Sequence, residues 1–366
     1  MAWMVFLSPK LEGWEIVDVV QDLRSLNMEE MGIIADKLGV PKYRVQQLFH
    51  WVFSKGVSDI DQMTNLPKSF RMSLKDNYYI SNILIKNKQV SSQDNTSKLL
   101  LQLENGETIE TVLMNYENRN YQRDRATVCI SSQVGCKMGC VFCATGLSGW
   151  KRNLTVGEII GQIMVAQSVS QIPVKNVVLM GMGEPLLNFD NVVKAVRLMN
   201  HKAGLDIGGR RITISTCGLV PQIIKLAEEG LSLVLAISLH GATDAVRGEL
   251  MPINNKYPLK ELINACKFYV EKTGRRITFE YALMKNINSS VTDAEHLGRL
   301  LAAVNCNVNL IPINPVVETG FIRPSVQEIS RFKKVLEVMG VNVSIREEKG
   351  TDIDAACGQL RRRSLK

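Results

Sequence analysis

The sequence predicts an α/β fold, a partial (β/α)6-type barrel with a small N-terminal helical domain and a bridging β-hairpin. First, segments with the pattern of a strand alternate with segments of helical periodicity from residue 125 onwards, which is typical of parallel strands joined by helical crossovers. Second, at most seven such strands fit, fewer than a closed (β/α)8 ring needs. Third, residues of chemical interest follow most of these strands directly, as expected at one rim of a barrel. A doubly wound sheet is the alternative architecture.

The first part of the chain has the pattern of a small helical domain. Between residues 14 and 74 the helical segments are short, apolar residues recur at helical spacing in residues 43–53, and a further helix begins after Pro67. Residues 80–85, 98–103 and 108–115 have strand character, and the turn signal Glu104-Asn105-Gly106 joins the last two. We therefore expect a helical accessory domain at 1–80 and a bridging β extension at 81–124.

The remaining sequence supplies the elements of the barrel. Candidate strands lie at 126–130, 175–180, 211–215, 233–237, 277–283, 307–312 and 341–345. Candidate helices lie between them, near 155–170, 190–200, 219–229, 258–272, 291–303 and 325–338. We expect the core domain to occupy 125–346 and a C-terminal loop with a basic tail to occupy 347–366.

Composition narrows the class of protein. The chain has 366 residues, of which 45% are hydrophobic, so it can bury a large core. Its apolar runs are too short for a membrane span or a signal peptide, and eight cysteines without a secretory signal should be mostly reduced. We expect a soluble, cytoplasmic protein.

The charge favours a polyanionic partner such as nucleic acid. The net charge is +8, and residues 1–150 hold as many acidic as basic side chains, so the whole surplus lies in 151–366. It includes the C-terminal run Arg361-Arg362-Arg363 and Lys366, which is either a solvated tail or a nucleic-acid contact.

The most specific motif is a set of three cysteines within eight residues. Cys136, Cys140 and Cys143 provide three thiolate ligands without a histidine, which suits an iron-sulfur cluster with one iron left open for a substrate or cofactor. A structural zinc site is the alternative, but all-thiolate zinc sites usually combine two Cys-x2-Cys pairs. An electron carrier of the ferredoxin type would have a fourth cysteine followed by proline in this run. The pattern therefore favours a catalytic cluster.

Further candidates follow the other strands. The turn Gly181-Met182-Gly183-Glu184 permits close approach of a ligand to bare backbone, although it could be only a tight βα turn. His240 could likewise be a buried core histidine. We expect these strand ends to meet at one rim with the residues that end or follow the neighbouring strands: Ser215, Ser238, Leu239 and Asn314.

Two other cysteines have positions that suggest chemistry. Cys129 lies on the first barrel strand, seven residues before Cys136, and Cys357 lies in a glycine-containing loop near the C-terminus. If these two parts of the domain meet at the rim, the two thiols could form a reactive pair. For Cys217, Cys266 and Cys306 we expect the ordinary role of a small buried apolar residue.

The motifs together resemble those of a known family. The three-cysteine run followed by Gly183-Glu184-Pro185 is similar to the radical S-adenosylmethionine superfamily. The longer strings resemble the dual-specificity RNA adenine-C2 methyltransferases that act on large-subunit ribosomal RNA and on transfer RNA, over about residues 20–360. These strings are RATVCISSQVGC at 125–136, GMGEPLLN at 181–188, LMPIN at 250–254 and DIDAACGQL at 352–360.

The resemblance implies a mechanism and a set of site residues. Cys136, Cys140 and Cys143 would hold a [4Fe-4S] cluster, and two molecules of S-adenosylmethionine would be used per turnover. Cys357 would take a methyl group from the first and become S-methylcysteine. A 5′-deoxyadenosyl radical from the second would then remove hydrogen from that methyl group, so that its carbon adds to C2 of an adenine.

The resemblance also assigns the later steps. Glu110 would be the general base, and Cys129 would release the RNA by forming a disulfide with Cys357. The implied S-adenosylmethionine contacts are Gly183, Glu184, Ser215, Ser238, Leu239, His240 and Asn314. The implied partners are 23S rRNA, tRNA and an electron donor such as flavodoxin, and we expect a monomer that uses no membrane.

Three alternatives stay open at the level of sequence. The related enzymes that methylate C8 of a ribosomal adenine and confer antibiotic resistance share the cluster motif, Cys129 and Cys357, although Pro185 and the strings at 311–315 and 320–324 favour the C2 enzymes. A zinc-stabilised RNA-binding module would have no catalytic activity. A radical enzyme that activates another protein would leave the two extra cysteines and the basic charge unexplained.

Overall fold

The computed structural model describes residues 20–116, 124–314 and 319–360, and these form two compact units. The small unit contains residues 20–82 together with 203–205, and the large unit contains the rest. The basic C-terminal run at 361–366 and the segment at 14–19 lie outside the described residues. No helix in the described ranges is long and apolar enough to cross a membrane.

The small unit is helical, as the sequence predicts. Its elements are β1 (Gln21–Asp22), α1 (Met28–Lys37), α2 (Tyr43–Phe49), α3 (Lys68–Asn77) and β2 (Tyr78–Tyr79). The Asn27 side chain accepts from the backbone N–H of Glu30 and Glu30 returns a hydrogen bond, so a capping box begins α1. A π-helical turn at His50–Ser54 continues α2, and the rings of Phe49 and Phe53 pack 4.4 Å apart in the core.

A ten-stranded sheet organises the described part of the large unit. Its antiparallel portion consists of β3 (Leu84–Val90), β4 (Ser97–Gln102) and β5 (Thr108–Tyr116). The next strands along the chain are β6 (Arg125–Cys129), β7 (Gln133–Gly135), β8 (Trp150–Asn153), β9 (Val174–Leu179), β10 (Ile212–Thr216), β11 (Val234–Ser238), β12 (Ile277–Leu283), β13 (Cys306–Pro312) and β14 (Asn342–Ile345). Of these, β7 and β8 pair with each other as a separate hairpin.

The helices of the large unit lie mostly between consecutive parallel strands. They are α4 (Ala144–Leu147), α5 (Val156–Val169), α6 (Phe189–Asn200), α7 (Val220–Glu228), α8 (Asp244–Leu250), α9 (Leu259–Thr273), α10 (Val291–Leu301) and α11 (Val326–Val338). Capping boxes begin three of them, because a serine or threonine and an acidic residue three positions later bond reciprocally at the first turns of α5, α10 and α11.

The strand order confirms the predicted partial barrel. The parallel strands lie side by side in chain order, β6-β9-β10-β11-β12-β13-β14, whereas a doubly wound sheet reverses its strand order part-way. The sheet also curls, because Arg346 just after β14 reaches Met180 just after β9, with Nη1 3.7 Å from Sδ. All carboxyl ends of these strands therefore face one rim.

Two features differ from the sequence prediction. The prediction of a strand at 80–85 is wrong, since the strand begins at Leu84. The segment before it is held in the small unit, where the backbone N–H of Ser81 donates to Asp22 and the Ser81 carbonyl accepts from Arg24. The hairpin β7–β8 and helix α8 were not predicted, because the strands have three and four residues and the helix has seven, which is too few for a clear periodic pattern.

Candidate active site

The three-cysteine loop is held by the short hairpin β7–β8. The backbone N–H of Cys136 donates to the carbonyl of Gly149 at 3.0 Å, which closes the base of the loop. Gly135 has φ +82°, and a Cβ atom there would lie 1.9 Å from that carbonyl oxygen. Only glycine fits at this position. The loop therefore keeps Cys136, Cys140 and Cys143 together at the end of β6.

These cysteines line a cavity of about 170 Å³ at the rim, which we call the three-cysteine cavity. Burial raises the pKa of Cys136 to about 12 and also raises that of Cys140, so a metal that binds here must displace protons. Among the described residues, no group of three His, Cys, Asp or Glu side chains is arranged to hold a single metal ion. The other predicted site residues on its wall are Gly183, Glu184, Ser215, Ser238, His240, Asn314 and Cys357.

The turn after β9 is tightly packed. A Cβ atom on Gly183 would lie 2.6 Å from the Cβ atom of Gln133, so the turn needs glycine there. The carboxylate of Glu184 accepts backbone N–H groups of Leu186 at 3.0 Å and of Cys217 at 2.7 Å. Burial raises the pKa of Glu184. The hydrogen bonds of the Glu184 carboxylate thus join the loops after β9 and β10, and its side chain also lines the three-cysteine cavity.

The ends of β10 and β11 supply neighbouring polar groups. The hydroxyl oxygens of Ser215 and Ser238 lie 3.5 Å apart. His240 adopts φ +53°, and its Nδ1 accepts the backbone N–H of Ala282 at 2.9 Å. Burial, with a smaller effect of Arg247, lowers the pKa of His240 to about 3, so its imidazole is neutral. Leu239 is fully buried and lies outside the cavity wall.

Two buried oxygens of this wall have no hydrogen-bond partner among the described residues. They are Oδ1 of Asn314 and Oε2 of Glu280, and both side chains are only 5% exposed. Buried polar groups are normally satisfied, so such atoms indicate that a polar ligand completes the cavity. Sequence reasoning missed Glu280, which lies within β12 and follows no motif; its alternation with apolar neighbours was the available signal.

A smaller cavity of about 40 Å³ adjoins the first and contains both remaining cysteines of interest. We call it the cysteine-pair cavity. Burial and the nearby Cys357 raise the pKa of Cys129 to about 12, and both thiols are free. Cys357 and Arg346 line both cavities, and the charge of Cys357, when ionised, raises the pKa of Arg346. The structure therefore places Cys129 and Cys357 in the wall of one cavity, which is the condition for the reactive pair that the sequence suggests. Sequence reasoning missed Arg346.

Glu110 lies on β5, outside the walls of both cavities. It is 4% exposed, and its Oε1 lies 3.8 Å from Nζ of Lys98. Because side chains alternate along a strand, Glu110 shares a face with Val112, whose cross-strand partner is Cys129. Glu110 is thus a near neighbour of the cysteine-pair cavity on the same face of the sheet.

Comparisons with known proteins identify the family of this chain. Residues 130–295 match the model of the Radical SAM superfamily, and residues 21–80 match that of the ribosomal RNA large subunit methyltransferase N-terminal domain. The chain is 48% identical over 347 residues to the probable dual-specificity RNA methyltransferase RlmN of Thermotoga maritima, covering 95% of this chain and 99% of that protein. It is 48% identical to the RlmN of Desulfitobacterium hafniense strain Y51, covering 93% and 96%.

The chain belongs to the RlmN family of radical SAM methyltransferases. A solved structure, a radical SAM methyltransferase from Sphaerobacter thermophilus, agrees with the fold at a TM-score of 0.89 and 43% identity, covering 94% of this chain and all of that one. Membership of the superfamily implies a [4Fe-4S] cluster and S-adenosylmethionine. The three thiols of the three-cysteine cavity, and its two buried oxygens without a hydrogen-bond partner, fit such a pair of ligands.

Proposed function

We propose that this chain methylates C2 of a specific adenine in 23S ribosomal RNA and in transfer RNAs, with Cys357 as the methyl carrier. The observation that carries the proposal is the position of Cys357 in the wall shared by the three-cysteine cavity and the cysteine-pair cavity. The names of the relatives and the family of the N-terminal match support RNA as the substrate.

Cys136, Cys140 and Cys143 would hold the cluster, and the S-adenosylmethionine ligands would come from the strand-end residues predicted above and from Glu280. When bound, the cluster and S-adenosylmethionine supply a carbon radical strong enough to remove hydrogen from a methyl group. Each turnover consumes two molecules of S-adenosylmethionine, one for the methyl group that Cys357 accepts and one at the cluster. Leu239 contributes backbone only, since its side chain packs in the core.

Cys357 presents its sulfur from a loop with several fixed points. The backbone N–H of Ala144, next to Cys143, donates to the carbonyl of Gly358 at 2.8 Å, and the hydroxyl of Thr145 donates to the carbonyl of Leu360 at 2.7 Å. Asn314 Nδ2 contacts the Cys357 carbonyl at 3.5 Å. These contacts keep the methyl carrier beside the three-cysteine loop, which is the positioning that the transfer requires.

Glu110 and Cys129 complete the reaction. The radical formed when the carbon of the methylated Cys357 adds to C2 of the adenine gives up one electron to the enzyme's redox partner, and Glu110 accepts the proton that leaves C2. The thiolate of Cys129 then attacks the sulfur of Cys357, and a disulfide forms as the sulfur–carbon bond breaks. The carbon leaves with the electron pair of that bond and takes up a proton, which balances the proton lost by the Cys129 thiol, so the RNA keeps it as a methyl group. An external thiol returns both cysteines to the free state. Their proximity across the cysteine-pair cavity supports this step.

The surplus positive charge in residues 151–366 supports binding to an RNA backbone, which should weaken as salt rises. The helical unit would add contacts to the shape of a folded RNA. The enzyme would work in the cytoplasm as a monomer and take electrons from a small redox protein of the flavodoxin kind.

The test is the variant C357A, prepared without oxygen and with its iron content verified. We expect loss of RNA methylation, measured as 2-methyladenosine by mass spectrometry of digested RNA. The matched control is C306A, because Cys306 begins β13 at the end of the sheet opposite the rim, and we expect it to keep wild-type activity. Methylation by C357A at the normal rate would contradict the carrier role, and 8-methyladenosine as the only product would contradict C2.

A further inference from the structure

Lys98 is a buried cation that has no role in the reaction proposed above. It lies on β4, and its side chain is 10% exposed. Lysine is rarely buried unless its charge is paired, because the desolvated ammonium group loses its hydration. Its burial beside the cysteine-pair cavity therefore needs an explanation.

The strand register places Lys98 in a row with the cavity. Lys98 is the cross-strand partner of Val112 on β5, and Val112 is the partner of Cys129 on β6. Paired residues of adjacent strands share a face of the sheet, so all three point to the same side. Lys98 thus approaches the catalytic residues from β4, two strands away from Cys129.

The ammonium group of Lys98 contacts two elements of the proposed reaction. Nζ lies 3.8 Å from Oε1 of Glu110 and donates to the carbonyl of Asp354 at 3.3 Å. Asp354 is three residues before Cys357, in the same loop. Lys98 therefore links the proposed general base to the loop of the methyl carrier.

The loop has further ties to the β3–β4 turn. Backbone N–H and hydroxyl of Ser92 contact Oδ2 of Asp352 at 3.0 and 3.2 Å, and the backbone N–H of Gly350 donates to Oδ2 of Asp94 at 2.9 Å. Together with the contacts to Ala144 and Thr145, these bonds anchor the loop independently of Lys98. Removal of Lys98 should therefore take one contact away from Glu110 while Cys357 stays in place.

We propose that Lys98 is a positioning residue, which holds the carboxylate of Glu110 in a fixed relation to the Cys357 loop. The inference rests on the proposed function, since it takes Glu110 as base and Cys357 as carrier. Lys98 acts only through Glu110 and touches no reacting atom.

The test separates methyl loading from RNA release. In the iron-loaded K98M enzyme we expect S-methylation of Cys357, measured by mass spectrometry, to stay within about twofold of wild type. Release of methylated RNA should slow by roughly tenfold to a hundredfold, and protein–RNA adduct should accumulate, since misplacement of a base has effects of this size. K98R, which keeps the charge, should recover much of the rate. K88M is the matched control on the neighbouring strand, because Lys88 is exposed.

A double variant tests the route of the effect. If Lys98 acts through Glu110, K98M/E110Q releases RNA no more slowly than E110Q alone. The double variant also controls for misfolding, because it removes both buried charges together and leaves neither of them unpaired. Three results would each overturn the inference. The first is a double variant in which the losses of RNA release in K98M and E110Q multiply; the second is loss of Cys357 methylation in K98M; the third is release of RNA by K98M at the wild-type rate. If C357A is inactive and K98M is unaffected, only the role of Lys98 fails; if C357A is active, the proposed function fails first.

Discussion

The two cavities at the rim are assembled in opposite ways. In the three-cysteine cavity, Cys136, Cys140 and Cys143 come from one loop that a short hairpin closes, so the proximity of these three thiols is a local property of the chain. The cysteine-pair cavity joins Cys129, at the end of the first barrel strand, to Cys357, which follows the last strand. Their proximity depends on the curl of the whole sheet. A local motif can thus be recognised in a sequence, whereas a site made by long-range closure requires the fold.

The cavities also differ in their charge. In the three-cysteine cavity burial favours neutral groups, because it raises the pKa of Glu184 and lowers that of His240. At the wall shared with the cysteine pair, by contrast, Arg346 stays charged and lies 3.9 Å from the carboxylate of Glu280. The charged Arg346 therefore lies in the wall that Cys357 also lines, where the proposed reaction would convert Cys357 between thiol, thioether and disulfide.

The largest effect is expected from the local cavity. The variant C140S should lose both iron and RNA methylation, because an oxygen ligand replaces one of three thiolates for which the iron has high affinity. Iron and sulfide analysis after anaerobic purification is the measurement, with about four of each per wild-type chain. C266S is the control, since Cys266 is buried in α9. A C140S protein that retained the full iron content would remove Cys140 from the cluster.

An intermediate effect is expected from the long-range pair. C129A should still carry a methyl group on Cys357 and join to RNA, but release of the product should slow by roughly a hundredfold or more, because the attacking sulfur is missing. A covalent protein–RNA adduct should accumulate and be visible as a shifted band under denaturing conditions. Normal turnover by C129A without adduct would show that the two cavities do not act in sequence.

The same contrast explains how much of the molecule the sequence predicts. The parallel strands and their helices were predicted within about two residues, since helical and strand periodicities repeat over each element. The three thiols were predicted by spacing. Glu280 and Arg346 were not, because one is a single charge within a buried strand and the other follows a strand without a motif. Only the curled sheet brings Arg346 to Met180 and Cys357.

The smallest expected effect is on stability, and it tests the difference in charge between the two cavities. His240 has a pKa of about 3 in the folded protein, whereas a histidine in the unfolded chain has a pKa of about 6.5. Between these values only the unfolded state takes up the proton, so acid favours unfolding, and stability is lost as the pH falls from about 6.5. From pH 7 to pH 5 this contribution amounts to about 2 kcal/mol.

The variant H240N removes the titration. Asparagine tolerates the left-handed backbone that His240 adopts, so the turn after β11 should persist. Urea unfolding at pH 7 and pH 5 should then show a smaller loss of the free energy of unfolding for H240N than for wild type. His296 provides the matched control, because H296N lies in α10, away from both cavities, and should keep the wild-type difference between the two pH values. An equal acid loss in wild type and H240N would mean that His240 accepts a proton in the folded protein, and that the three-cysteine cavity tolerates a cation after all.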